Sequence, residues 1–122
     1  ELGVPVVCIH YNTKKFPGMI NVRGIGPAAF LKLVSEASFV CTDSFHGACF
    51  SMNFNKSFVV KTSDSAVQSN VRITDLLARY GIEGCLYRDE VVISAVDYGH
   101  ANQTLSHDRD TARAFIARCI GL

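Results

Sequence analysis

Between Thr42 and Gly47 the chain sets two hydroxyls, a carboxylate, an imidazole and a glycine within six residues, as Thr-Asp-Ser-Phe-His-Gly. Histidine exchanges a proton near neutral pH, and a carboxylate can orient it. A serine or threonine hydroxyl can cap a helix or meet a ligand, and a glycine lets another group approach the backbone. Two readings of the block stand side by side. Thr42 or Ser44 caps a helix and Asp43 sits in the turn, or the block is a ligand site in which Asp43 orients His46 and Gly47 admits substrate. A Ser-His-Asp hydrolase is excluded more firmly. There is no G-x-S-x-G elbow, and residues this close in sequence rarely form the required line.

Other groups bear on the same question. "RGIGP" (Arg23–Pro27) offers two glycines and a cation, but G-x-G alone falls short of a dinucleotide fingerprint, so a tight turn before a helix is the simpler reading. Arg23 and Lys61 are anion-binding candidates by their position near strand ends. Arg72 follows the polar stretch "SDSAVQSN" and is expected to open a helix, where an arginine opposes the helix dipole unless it points at an anion. His10 follows a strand and is a minor candidate. His100 and His107 do not share a metal-ligand spacing.

These residues are positioned by an alternation of short apolar runs and helical patterns. Val4–Ile9 reads as a buried strand, continuous and β-branched, and Met19–Val22 as a second short one. Pro27 suits the first turn of a helix over Ala28–Ala37, with Phe30, Leu31, Val34 and Ala37 on one face. Phe39–Cys41 is the next strand, Gly47–Asn53 a helix of small residues and Phe58–Val60 a further strand. Thr62–Asn70 lacks periodicity and is expected to be a loop. Ile73, Leu76, Leu77 and Tyr80 mark a helix that Gly81 stops. Val91–Ser94 is apolar and ambiguous. Ala112, Phe115, Ile116, Cys119 and Ile120 mark a last helix, with Asp108 or Asp110 near its start. This order predicts a three-layer α/β domain with a parallel sheet covered on both faces. In such sheets ligands bind beyond the carboxyl ends of the strands, against helix N-termini, where the Thr42–Gly47 block falls.

With 122 residues the chain has material for one core, and 48% hydrophobic against 19% charged residues gives a globular composition. A net charge of +1 recommends neither nucleic acid nor an anionic membrane as partner, and no basic stripe with interleaved aromatics is present. No apolar run approaches the ~20 residues of a membrane helix. The chain opens on an acidic residue and passes directly into strand-like sequence, so the expectation is a piece of a longer protein without a signal peptide. The five cysteines form no C-x-x-C pair, and four lie in apolar surroundings, which suits reduced core thiols in the cytosol.

The ordered signals resemble a known family. "GPAAFLKLVSEASFVCTDSFHGACFSMNFNKSFVV" followed by "VRITDLLARYGIEG" is similar to the C-terminal half of the polysaccharide pyruvyl transferases, over roughly 26–84 and more loosely into "VDYGHANQTLSHDRDTARAFIARCI". The resemblance rests on the His-Gly pair after an apolar strand and turn, the lysine-led strand about ten residues on, and the cation opening a leucine helix. It implies a Rossmann-like domain, the C-terminal half of a GT-B-type transferase whose active site lies in the cleft between two domains. The missing N-terminal domain would then be a partner, and the isolated chain would be inactive. It implies transfer of a pyruvyl group from phosphoenolpyruvate to sugar hydroxyls of a surface polysaccharide, with a sugar nucleotide or a lipid-linked glycan as acceptor and no metal or other cofactor. It also implies a cytoplasmic location, up to the inner face of the membrane.

Carried over residue by residue, His46 matches the family's motif histidine and Arg72 its basic residue before the leucine helix. Asp43 is the second catalytic candidate, and Thr42, Ser44, Gly47 and Arg23 complete the candidate substrate contacts. Two positions depart from the pattern. Many members carry arginine two positions before the histidine, where this chain has Ser44, so another arginine must take its place if the donor is held. The family's frequent proline after the lysine is Ser57. Two alternatives stay open: half of a sugar-nucleotide glycosyltransferase, whose helix end would grip a diphosphate, and a non-catalytic domain that keeps the fold.

Overall fold

A computed structural model describes residues 3–11, 13–63, 67–90 and 94–121; of the helical residues 67–69 it describes the backbone alone. The chain divides into two compact units, Glu1–Leu33 and Val34–Leu122. It is a mixed α/β protein in which short parallel strand pairs alternate with helices.

In the first unit, β1 (Val7–Ile9) pairs in parallel with β2 (Ile20–Val22), Val7 opposite Ile20. The expected strand from Val4 is shorter and less buried than its composition suggests: Val4 and Val6 are each 51% exposed. The connection between the strands is organised by Asn21. Its Oδ1 accepts the Phe16 N–H at 2.9 Å, and its Nδ2 donates to the carbonyls of Phe16 (3.0 Å) and Met19 (2.9 Å). The same Oδ1 lies 3.1 Å from His10 Nε2, and the buried imidazole stands edge-on to Phe16 at 5.4 Å. Arg23 donates to the Thr13 carbonyl at 3.0 Å and so ties this connection to the end of β2. The glycine-rich stretch after it leads into α1 (Pro27–Glu36), whose Phe30 N–H bonds to the Gly26 carbonyl.

The second unit holds β3 (Val40–Thr42), α2 (Phe45–Asn53), β4 (Phe58–Val60), α3 (Val67–Tyr80) and α4 (Gly99–Cys119), with a 3-10 turn at Glu83–Cys85. β3 and β4 run parallel, Val40 opposite Phe58 and Thr42 opposite Val60. Beyond them Leu86 forms a parallel bridge to Val60, and the Tyr87 N–H bonds to the Val60 carbonyl at 2.8 Å. The core gathers Ala48 and Met52 of α2, Phe58 and Val60 of β4, Ile73, Leu77 and Tyr80 of α3, and Tyr98 and Ala101 at the start of α4. Gly81 adopts φ +66°, which ends α3 where the heptad-like apolar face predicts.

Two helices differ from the sequence reading. α3 begins at Val67, inside the expected loop Thr62–Asn70, where the first turn holds no glycine or proline to oppose a helix. Asn70 closes the preceding chain onto it, accepting from the Ser63 N–H (3.1 Å) and donating to the Ser63 carbonyl (2.6 Å). α4 begins at Gly99, thirteen residues before the first apolar marker at Ala112. Asp97 accepts the Gly99 N–H at 2.9 Å at its start, so neither Asp108 nor Asp110 lies there. Its inward face is carried by Ala101, Leu105 and a carboxylate, a pattern that hydrophobic periodicity does not register. The residues that suggested the helix face outward: Phe115, Ile116 and Ile120 are 59%, 56% and 64% exposed. The cysteines also differ from a set of core thiols. All five are free, but Cys85 alone is buried, Cys41 and Cys119 are exposed and Cys8 and Cys49 are half-buried. Of the ambiguous segment Val91–Ser94, residues 91–93 lie outside the described residues. No described helix is long and apolar enough to cross a membrane.

α3 and α4 are joined through Asp108. Arg79 grips its carboxylate at both oxygens, Nε at 3.0 Å and a terminal nitrogen at 2.6 Å, and Tyr80 Oη donates to it at 2.9 Å. The Arg79 hydrogen bond first, and that of Tyr80 next, hold Asp108 below the ordinary carboxylate range. A carboxyl group whose pKa falls on folding adds stability above its unfolded pKa and loses it as pH drops through the folded value. Asp108→Asn should therefore melt below the parent at pH 7, with the gap closing in thermal melts at pH values below the carboxylate range. A constant gap across pH would assign the role of Asp108 to shape and packing instead.

Candidate functional site

The turn between β3 and α2 is built by two hydroxyls and the absence of one side chain. Ser44 has extended backbone angles (φ −97°, ψ 132°) and is the N-cap of α2, its Oγ accepting the Gly47 N–H at 3.3 Å. Its carbonyl takes the first intrahelical bond, from the Ala48 N–H at 3.0 Å. Thr42 Oγ1 accepts the Ser44 N–H at 3.1 Å, which closes the chain as it leaves the strand. The sequence left the cap open between Thr42 and Ser44; the two hydroxyls divide the work. Each accepts from a backbone amide and keeps an O–H hydrogen to donate.

Gly47 is buried because Thr42 lies directly against its Cα. A Cβ built on Gly47 would stand 2.3 Å from Thr42 Oγ1 and 3.0 Å from Thr42 Cβ. The space that a side chain would take goes to the packing of the strand end on the helix. Ser51 Oγ then donates to the Gly47 carbonyl at 2.8 Å from within the core, one turn further along α2.

His46, the second residue of α2, is exposed, as are Asp43 and Ser44. Asp43 and His46 share no hydrogen bond among the described residues. The His46 ring instead stands nearly perpendicular to the Phe45 ring, centroids 5.8 Å apart at 81°. Arg72 comes to the same place from the sixth position of α3, not from its start as the sequence reading had it. Its guanidinium lies over the Phe45 ring, Cζ 5.1 Å from the centroid. Phe45 thus has His46 at one side and Arg72 over its face. No functional role was assigned to it on sequence, where a phenylalanine beside a histidine at a helix start carries no signal of its own.

Lys61 follows β4, its N–H bonded to the Thr42 carbonyl at 2.9 Å and its ammonium over the Tyr87 ring at 5.6 Å. Arg23, in the first unit, has its guanidinium on the Thr13 carbonyl. Burial raises the thiol pKa values of Cys41 and Cys49, near the same turn, away from the reactive thiolate range. No group of three or more metal-ligating side chains occurs among the described residues. An open depression of about 560 Å³ is lined by Phe58, Val59, Glu83, Gly84, Leu86 and Arg88–Glu90, none of which belongs to the β3–α2 turn.

The turn is therefore a capped helix start at the carboxyl end of a parallel strand pair, with an imidazole and a guanidinium on its exposed side. The family model for polysaccharide pyruvyl transferases matches residues 2–65, just over half of the chain. The chain belongs to the polysaccharide pyruvyl transferase family. The match takes in both strand pairs, α1, α2 and the Thr42–Gly47 turn; Arg72 lies beyond it. No curated protein and no solved structure matches the chain.

The close approach of Thr42 to Gly47 gives a direct test. Gly47→Ala should lower stability by about 1–3 kcal/mol, the usual range for overpacking. In a Thr42→Ala background, which removes the nearest atom, the same substitution should cost clearly less by denaturant unfolding. Equal costs in both backgrounds would mean that Thr42 does not set the requirement for glycine.

Proposed function

We propose that this chain is the donor-side domain of a pyruvyl transferase, with a Rossmann-like fold of the GT-B kind, and that phosphoenolpyruvate binds at the β3–α2 turn. What supports the reading is one juxtaposition: Arg72 reaches the first turn of α2 and lies over Phe45, beside His46, although α3 is a separate element. A cation and a proton-exchanging group then both adjoin the first residue of a helix, where amides favour negative charge.

Phosphoenolpyruvate carries a carboxylate and a phosphate. Arg72 binds one of them with its planar set of donors, and the remaining hydroxyl hydrogens of Ser44 and Thr42 add to the same anion. His46 delivers a proton to the methylene carbon, which leaves C2 an oxocarbenium-like electrophile. A sugar hydroxyl attacks C2, phosphate departs, and a second hydroxyl of the acceptor closes the cyclic ketal. Asp43 sits in the turn before His46 and steadies the positive charge that the imidazole carries before transfer. Gly47 acts at one remove, by letting the strand end and helix start come together.

An acid open to water is a poor catalyst of this step, and His46 is exposed. A second domain that carries the acceptor and closes over the turn would complete the site. On this reading the 122 residues alone turn over no donor, and the sugar modified is chosen by the other wall.

His46→Ala in the full-length protein should reduce pyruvyl transfer, followed as phosphate release with a glycan acceptor, by at least about 100-fold, the lower range for a general acid–base group. Circular dichroism and melting temperature should hardly move, because the imidazole is exposed. Arg72→Ala should chiefly raise KM for phosphoenolpyruvate. Undiminished turnover in the His46 variant would remove it from the chemistry, and protection of the protein by a nucleoside diphosphate instead would turn the reading to a glycosyltransferase.

A further inference from the structure

Phe45 is the first residue of α2, and its presence there is not explained by the helix start. The cap is carried by Ser44 and the close packing by Thr42 and Gly47. Its half-buried ring packs against the edge of the core, a contact that leucine or methionine would also make. What an aliphatic side chain lacks is a π face. That face lies 5.1 Å from Arg72 Cζ, and the ring stands at 81° to His46 with 5.8 Å between centroids.

We propose that Phe45 is a positioning residue of the donor site, holding the Arg72 guanidinium and the His46 imidazole at one spacing. The inference rests on the donor-site reading above and adds to it the residue that organises the two groups. A guanidinium over an aromatic face makes no hydrogen bond to the ring, so its N–H donors stay available to an anion. Among the described residues Arg72 has no protein hydrogen bond that would compete. A long arginine side chain loses rotamer freedom when it grips a ligand, and a ring that already restrains it reduces that loss. The same ring limits where the imidazole can turn. The cation and the proton donor thus share one ring as their support, at the place where a compact anion with a carboxylate and a phosphate would bind.

The test is a mutant cycle in the full-length transferase, with phosphoenolpyruvate and its glycan acceptor. Phe45→Leu should raise KM for phosphoenolpyruvate about two- to fivefold, the range of an exposed cation–π pair. Phe45→Tyr, which keeps the π face, should restore the parent value. In an Arg72→Ala background Phe45→Leu should add little further to KM. If Phe45→Leu proves unstable, Phe45→Met supplies the aliphatic arm at similar volume. Equal effects of the aliphatic variant with and without Arg72, or equal impairment in the tyrosine and leucine variants, would overturn the proposal. Silent Phe45 variants beside a damaging Arg72→Ala would overturn it while leaving the donor site standing. Normal kinetics in both His46→Ala and Arg72→Ala would remove the donor site itself.

Discussion

The direction in which α2 leaves the β3–α2 turn, and with it the outward placing of His46, depends on the contact between Thr42 and Gly47. A strand that ends in threonine can run straight into a helix start only if the helix leaves room for the threonine side chain, and the missing Cβ at Gly47 provides it. With Thr42 seated there, its hydroxyl receives the Ser44 amide, and Ser44 in turn receives the Gly47 amide. The two hydrogen bonds and the close approach define a single direction for α2. Residue 46 then has nowhere to go but outward, since residues 47, 48, 51 and 52 take the buried face.

The position of Arg72 follows from a different constraint. Ile73 and Leu77 are almost completely buried, and Tyr80 is tied to Asp108, so the rotation of α3 about its own axis is settled by its core face. Each residue of a helix is turned about 100° from the last, so the residue before a buried isoleucine lies at the rim of the buried face. There an arginine can keep its head in water, and the Arg72 guanidinium lies over the Phe45 ring. Burial of one face of α3 thus sets where its arginine stands relative to α2.

Much of this was legible in the sequence wherever apolar spacing carries the information. The strand Phe58–Val60 has the bounds read for it, and the remaining strands and α1 lie within a few residues of theirs. The helix over Ile73–Tyr80 and its glycine stop were legible for the same reason. Polar helical turns were not. The start of α3 is latched by Asn70 to the Ser63 backbone, and the first half of α4 turns inward an alanine, a leucine and a carboxylate, so both look like loop to a hydrophobic count. That failure moved Arg72 from a helix start to a helix interior. At the candidate site, residue types marked the place but not the partition of roles. Only geometry tells which of two hydroxyls caps, or that a buried glycine serves its neighbouring threonine.

The exchange at position 44 brings these threads together. Where the resemblance leads to arginine in many members, two residues before the histidine, the chain has Ser44, and that serine is the N-cap of α2. An arginine has no oxygen with which to accept the Gly47 amide, so one residue cannot provide both the cap and the cation. A cap of this kind is worth about 1 kcal/mol, enough to matter for a nine-residue helix. Arg72 offers the cation from another element, and Phe45 carries the contact between them. On the donor-site reading, a cation can therefore come from across the ring without cost to the cap. The aromatic at position 45 and the serine at position 44 are, on that reading, parts of one arrangement: the serine keeps the cap, and the arginine over the phenylalanine offers the cation.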